Sequence, residues 1–385
     1  MKQLSTQLHL TQQEKDLLIR LYHRRMITKA YLDENVPMAV KQALVNKGLI
    51  IEETIEDWEQ TVHEVYFLTQ DGTQVVYELL MLPNNVLNEK DSIIERHRFK
   101  LSELKPKKTE KHARRLLEQT RFVESTTQLL GKYSIEHQYY DRLFNELNSK
   151  KQEHYIPQTF PSDGVLLVKD CEIHIHSIQE RPTKVKLFTE KTYLPFVKSE
   201  TFAYRERPML LLFLAQTKED VEKHRETICQ MMGAHLTPYF NVLVATPKQA
   251  LQFMKNKFIP ELLQPYHFLG LMKHKIQRQD VNVCFLDQQK LASLAGRYDG
   301  YLTYNNQLAL VLDYRFKDVL SYYTIKNHTA NQQRLNKKYF ILALNNDKLS
   351  EQEVGDYYRD YTVCATVEKL KEDKWLRTIF HHQRP

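Results

Sequence analysis

The first eighty residues constrain this chain more tightly than anything that follows. Thr11-Gln12-Gln13-Glu14 has the spacing of a capping box, and Leu10 is placed to staple back onto the first turn. Leu17, Leu18, Leu21 and Tyr22 then recur at helical spacing, which predicts a helix to about Arg25. Thr28 caps a short second helix through Leu32. Pro37 opens a third helix that stops at Gly48, the residue suited to a left-handed helix end. Leu49-Ile50-Ile51 and Val65-Tyr66-Phe67-Leu68 read as two strands joined by a long polar hairpin, and Asp71-Gly72 turns the chain into a closing helix, Thr73 to Leu82. Three helices, a two-stranded wing and a closing helix make the order of a winged helix-turn-helix, whose third helix enters a DNA major groove.

Composition bounds the remainder. At 385 residues, 42% hydrophobic and 11% aromatic, the chain is long enough for two or three domains with packed cores. No apolar run approaches the ~20 residues of a membrane span, and Lys2 followed by polar residues lacks the apolar core of a secretion signal. The expectation is a cytoplasmic protein. Cys171, Cys229, Cys284 and Cys364 are scattered, with no CxxC pair and no histidine at ligand spacing, so they read as small core residues rather than zinc ligands.

Charge is unevenly spread. Residues 90–121 hold eleven Lys/Arg against five Asp/Glu, densest at Lys105, Lys107, Lys108, Lys111, Arg114 and Arg115. Such a run suits phosphate neutralisation, or else it is a solvated linker. Residues 1–89 carry eight Lys/Arg against thirteen Asp/Glu, an awkward balance for a DNA-binding domain. The divisions expected are 1–89, a basic connector and helix over 90–131, and two α/β lobes over 132–272 and 273–385.

The connector helix is expected from about Glu110 to Leu130, closed by Gly131. Strands follow at Gly164–Val168, Ile173–Ile178, Met209–Ala215 and Asn241–Ala245, with helices at Lys218–Met232 and Lys248–Lys255, a pattern of mixed α/β layers. The last third repeats the order. Asp163-Gly164 opens a strand as Asp299-Gly300 does, each followed at equal distance by an alternating strand, Glu172 to Ile178 or Leu308 to Tyr314. The fold class is therefore α+β or α/β, with a duplicated pair of lobes.

An Asp-Gly strand followed by a strand bearing an acid and a lysine is the layout of restriction-endonuclease-like folds, in which two carboxylates hold Mg²⁺ and a lysine orients water. In the first lobe Asp163 supplies the first acid, but the second strand offers His174, His176 and Ser177, with Glu180 just beyond. In the second, Asp299 is joined by Asp313 and Arg315 on one strand face. Arginine is no substitute for the compact ammonium, so the lobes read as degenerate nucleases. Asp-Gly is also an ordinary turn signal. The chain has no Gly-rich phosphate loop, GxSxG elbow or HExxH.

Leu10-Thr11, Lys47-Gly48-Leu49-Ile50 and Tyr66-Phe67-Leu68-Thr69-Gln70-Asp71-Gly72 resemble the winged helix of plasmid replication-relaxation proteins. Pro161-Ser162-Asp163-Gly164, Glu180-Arg181-Pro182-Thr183 and Lys191 with Tyr193 are similar to the motifs of that family's endonuclease-like domain, over roughly residues 8–260. The family's strand glutamate falls near Ile178 here, and the glycine of its last motif is Pro182. The resemblance implies a role in plasmid replication or in relaxation of plasmid DNA at transfer origins.

The expected function is thus a non-catalytic DNA-binding accessory or regulatory protein of a plasmid or other mobile element, with no cofactor. Its third helix would present Lys41, Gln42 and Asn46 to base edges, while Arg20, Arg24, Arg25 and Lys29 hold backbone phosphates. Double-stranded DNA is the expected partner, no membrane is, and the chain is compatible with a homodimer. One feature opposes groove binding: the hairpin Ile51 to Glu64 carries six acids and no Lys or Arg. It points away from DNA or docks on a basic surface, such as residues 105–115 of a partner subunit, with Trp58 as an exposed anchor. Two alternatives stay open: a module that recruits a relaxase, initiator or polymerase, and an Mg²⁺-dependent nuclease built on Asp163, or on Asp299, Asp313 and Arg315.

Overall fold

The computed structural model describes residues 8–80, 106–141, 162–178, 189–190, 194–197, 208–237, 240–264, 267–276, 281–285, 298–304, 307–327, 340–344 and 362–365. Lys105, Glu180, Lys191 and Tyr193 lie outside the described residues, as do the side chains of Lys107, Lys108 and Lys111. The described residues form a mixed α/β protein with three sheets. It divides into two compact units, one within residues 1–169 and 174–177, the other within 170–173 and 178–385. No described helix is long and apolar enough to cross a membrane.

The first unit opens with α1 (Gln12–Arg24), β1 (Ile27–Thr28), α2 (Lys29–Asn35) and α3 (Met38–Asn46). Thr11 and Glu14 make the reciprocal capping box that their spacing predicts. Thr28 caps α2 by accepting from the Tyr31 amide at 3.2 Å. Gly48 ends α3 at φ +70°, a conformation that glycine adopts without strain. β2 (Ile50–Glu56) and β3 (Val62–Leu68) run longer than their apolar cores suggest, and β1 joins them in the order β1-β3-β2. Only a tight turn separates them, held by Asp57 Oδ1, which accepts the Glu59 and Thr61 amides at 2.9 Å.

The closing helix α4 (Gln70–Leu79) starts earlier than the Asp-Gly signal predicts. Thr69, not Asp71-Gly72, makes the cap, and Gly72 lies inside the first turn, where an added Cβ would stand 2.0 Å from the Leu49 carbonyl oxygen. Leu17, Leu18 and Leu21 of α1 meet Leu32, Leu44, Leu49, Tyr66, Val75 and Val76 in one fully buried core.

Helix α5 (Pro106–Lys132) is longer than expected and passes through Gly131. It stops instead at Tyr133-Ser134, where Ser134 takes φ +54° and its amide donates to the Gly131 carbonyl at 3.0 Å. Beyond it come β4 (His137–Asp141), β5 (Gly164–Val168), β6 (Cys171–Ile178), β7 (Met209–Ala215), α6 (Lys218–Met232) and β8 (Phe240–Ala245). Within the first unit β4 and β5 pair antiparallel, and within the second β7 and β8 pair parallel.

In the second unit α7 (Pro247–Phe253) passes into a π-helical turn, Met254–Phe258, then α8 (Ile259–Leu263) and α9 (His267–Ile276). A second five-stranded sheet contains β9 (Val281–Phe285), β10 (Gly300–Tyr304), β11 (Gln307–Asp313), β12 (Phe340–Leu344) and β13 (Thr362–Ala365), with α10 (Val319–Lys326) between β11 and β12. These strands lie side by side in chain order. The pairs β9/β10 and β10/β11 are antiparallel, and β11/β12 and β12/β13 are parallel.

Candidate functional site

The outward face of α3 is uncharged, with Met38 and Ala39 at its start and Gln42 and Asn46 beyond. Gln42 and Asn46 are exposed and linked, Gln42 Nε2 donating to Asn46 Oδ1 at 3.0 Å, and Met38 is 74% exposed. Lys41 corrects the sequence expectation. It is buried, its ammonium ion-paired to Asp33 and lying over the Tyr66 ring, because its position on α3 turns toward α2 and β3.

Most of the arginines and lysines expected on phosphates are engaged internally. Lys29 pairs with Glu64 at 2.5 Å and Glu52 at 3.6 Å. Arg24 donates to Thr127 Oγ1 at 3.1 Å and lies over the Tyr31 ring. Arg25 is half-buried at the end of α1, with φ +61°. Arg20 is half-buried and has no hydrogen bond or ion pair among the described residues.

The acidic hairpin docks on the chain's own basic helix, not on a partner's. Arg114 of α5 pairs with Glu56 at 2.8 Å, and Arg121 with Asp57 at 3.1 Å. Trp58 is half-buried beneath the Arg114 guanidinium, 5.5 Å from its ring centre, so it is no exposed anchor. Under these pairs Met26, Ile55 and Val65 pack against Ala113, Leu116 and Leu117. Glu56 and Asp57 therefore act as matched partners of α5, while Glu52 and Glu64 hold Lys29. Burial would raise the Asp57 carboxyl, but hydrogen bonds from His63, Thr61 and Glu59 hold it below the usual range. Burial pushes Glu118, on the same helix, up to about 7.

The two Asp-Gly acids share one geometry. The Asp163 amide donates to the Ile175 carbonyl at 2.9 Å, and its Oδ2 accepts the Ser177 amide at 2.9 Å. The Asp299 amide donates to the Val311 carbonyl at 2.9 Å, and its Oδ2 accepts the Asp313 amide at 2.6 Å. Each aspartate thus pins the strand that follows it, at the same offsets along the chain. Asp163 also pairs with Arg115 of α5. Against the opposing effect of burial, Arg115 and His176 hold its pKa below the ordinary value. His174 is fully buried beside Ser162 Oγ at 3.3 Å, and burial pulls it down to about 3, so it is a neutral core imidazole.

Asp299, Asp313 and Arg315 do converge, and two residues that spacing does not reveal join them. Arg315 grips Asp313 with two bonds, Nε to Oδ1 at 2.8 Å and Nη2 to Oδ2 at 2.9 Å. Lys257, carried on the π-helical turn, reaches Asp318 Oδ2 at 3.1 Å and Asp313 Oδ2 at 3.7 Å. Asp318 caps α10 through the Ser321 amide and accepts from Asn241 Nδ2 at 3.0 Å. Burial, opposed by Lys257, pushes Asp299 up to about 6, whereas Lys257 and Arg315 hold Asp313 low despite its burial. A π turn is rare and recurs at functional positions. Here its consequence is to place an ammonium among three carboxylates.

The chain matches no protein-family model, no curated protein and no solved structure. Function therefore rests on the geometry. Among the described residues no group of three or more His, Cys, Asp or Glu is arranged to hold a metal ion. The donor set agrees: both Asp313 oxygens are taken by Arg315, and Asp299 Oδ2 by a backbone amide. These residues do not fit the Mg²⁺ of a nuclease. Lys257 and Asp318 escaped sequence reasoning because they lie 42 and 19 residues from Asp299, with no motif around them.

Proposed function

We propose that this chain is a DNA-binding accessory or regulatory protein of a plasmid or other mobile element, akin to the replication-relaxation family. In this reading residues 8–80 are a winged helix-turn-helix, and the two five-stranded sheets belong to endonuclease-like lobes that do no cleavage. The observation that carries it is the N-terminal order of elements with α3 facing outward: Gln42 and Asn46 stand exposed on one face of the third helix. Amide side chains of this kind pair with adenine edges. The backbone contribution is smaller than the charge count suggests, because Lys29, Lys41, Arg114 and Arg115 are paired within the chain.

Fluorescence anisotropy on DNA flanking the gene, against scrambled DNA, tests the reading. Between ~50 and ~200 mM salt a few phosphate contacts give a shallow slope. Gln42→Ala with Asn46→Ala should cost the native site about tenfold or more, at ~1–3 kcal/mol per base contact, and leave scrambled DNA unaffected. Equal affinity for both DNAs in the parent protein would remove base reading from α3.

The non-catalytic half of the proposal has its own check. Because Arg315 occupies Asp313, supercoiled plasmid incubated with Mg²⁺ or Mn²⁺ should stay intact. Metal-dependent nicking that disappears in Asp299→Ala would reverse this conclusion.

A further inference from the structure

Within the first unit α1, α2, the end of α5 and the start of β4 enclose a cleft of about 950 Å³. Its wall is polar and mainly basic. Arg20 and Arg24 stand one turn apart on α1, an i,i+4 pair of like charges that weakens an isolated helix. Lys132 from α5 and His137 from β4 line the same space. The His137 Nδ1–H donates to the Ile135 carbonyl at 2.8 Å, which leaves Nε2 for other contacts.

The two acids of the wall do not cancel this charge. Asp16 accepts from Gln12 at 2.8 Å and Glu34 from Gln128 at 2.7 Å, and among the described residues neither forms an ion pair with Arg20 or Arg24. Arg24 is held by Thr127 and the Tyr31 ring with its Nη1 shut off from water, so it adds positive charge to the wall rather than a donor that a ligand can reach.

We infer that this cleft binds a phosphorylated small molecule of nucleotide size, with its phosphates on Arg20 and Lys132. Clefts of roughly 300–1,000 Å³ accommodate ligands of that scale, whereas a single phosphate would leave most of the volume empty. A DNA duplex offers the same chemistry, but on a cylinder too wide to enter. The inference is independent of whether α3 reads DNA.

Isothermal titration calorimetry on the full chain tests it with ATP, pyrophosphate, adenosine and a short duplex of scrambled sequence. ATP and pyrophosphate should bind saturably and adenosine should not. Arg20→Gln and, separately, Lys132→Gln should weaken ATP by about tenfold or more, the worth of one charged hydrogen bond, with thermal unfolding unchanged. No saturable binding of ATP or pyrophosphate overturns the inference, and so does ATP affinity that stays at the parent value in both variants. Duplex binding that Arg20→Gln abolishes, without small-phosphate binding, would assign these residues to a DNA backbone instead.

Discussion

Methionine in place of Lys257 is expected to destabilise the second unit by about 3–5 kcal/mol, the usual cost of leaving a buried charge without its partner. The ammonium lies 3.1 Å from Asp318 and 3.7 Å from Asp313, and it offsets the burial of Asp299. Methionine keeps the length and apolar volume of the stem, so the loss reports charge rather than a cavity. Arg315 alone would then face three carboxylates. Urea unfolding followed by circular dichroism reads the loss, and exchange of the Asp313 amide, which donates to Asp299, localises it.

The pH dependence follows with a definite sign. The Asp299 pKa is raised, so its protonated form favours the fold, and that contribution is lost as pH climbs from the ordinary 3.8 to about 6. Without Lys257 the carboxylates repel more strongly, and the deficit should shrink as the solution is acidified. Adding Asp299→Asn to Lys257→Met should recover part of the stability, because the amide oxygen still accepts from Asp313. An unchanged urea midpoint in Lys257→Met would mean that water already screens the cluster.

Gly72→Ala should destabilise the first unit by about 1–3 kcal/mol, the usual cost of overpacking. Helix propensity alone predicts the opposite sign, since alanine gains ~1 kcal/mol over glycine inside a helix. Space decides the matter. The new methyl would meet the Leu49 carbonyl oxygen at 2.0 Å, and that oxygen is fixed by the Thr69 amide at 3.0 Å. Helix α4 would have to lift, loosening Val75 and Val76 from the core. Gly131→Ala is the control: nothing lies within 4 Å of its added Cβ and its φ is not positive, so it should stabilise by about 0.4–1 kcal/mol. Calorimetric melting of both variants distinguishes crowding from propensity.

Local chemistry made much of the fold legible in advance. The box at Thr11 and Glu14, the cap at Thr28 and the left-handed Gly48 each depend on residues within a few positions, and all three form where the spacing places them. The strands Gly164–Val168 and Met209–Ala215 and the helix Lys218–Met232 were equally plain, being apolar or amphipathic runs with clear ends. Misplacements arose where tertiary contacts outweigh local signals. Asp71-Gly72 reads as a turn, but a glycine is needed there for the approach of Leu49. Gly131 reads as a helix end, while Ser134 supplies the left-handed residue. Lys41 reads as a groove contact, yet Asp33 on α2 draws it inward. The pairing of Glu56 and Asp57 with Arg114 and Arg121 spans more than fifty residues of chain, and no periodicity carries such a signal.

The docking of the β2–β3 hairpin on α5 also decides what can fold alone. The hairpin is sandwiched: Tyr66 faces the core of α1, α3 and α4, while Ile55 and Val65 face Ala113, Leu116 and Leu117. A fragment cut after α4 would leave the second face as an open apolar patch with strand edges beside it, a surface prone to self-association. The smallest autonomous piece of this unit must therefore include α5 at least through Arg121, whose charge closes the acidic turn. For this chain the boundary that charge and composition draw before the basic helix does not coincide with a boundary of cooperative folding.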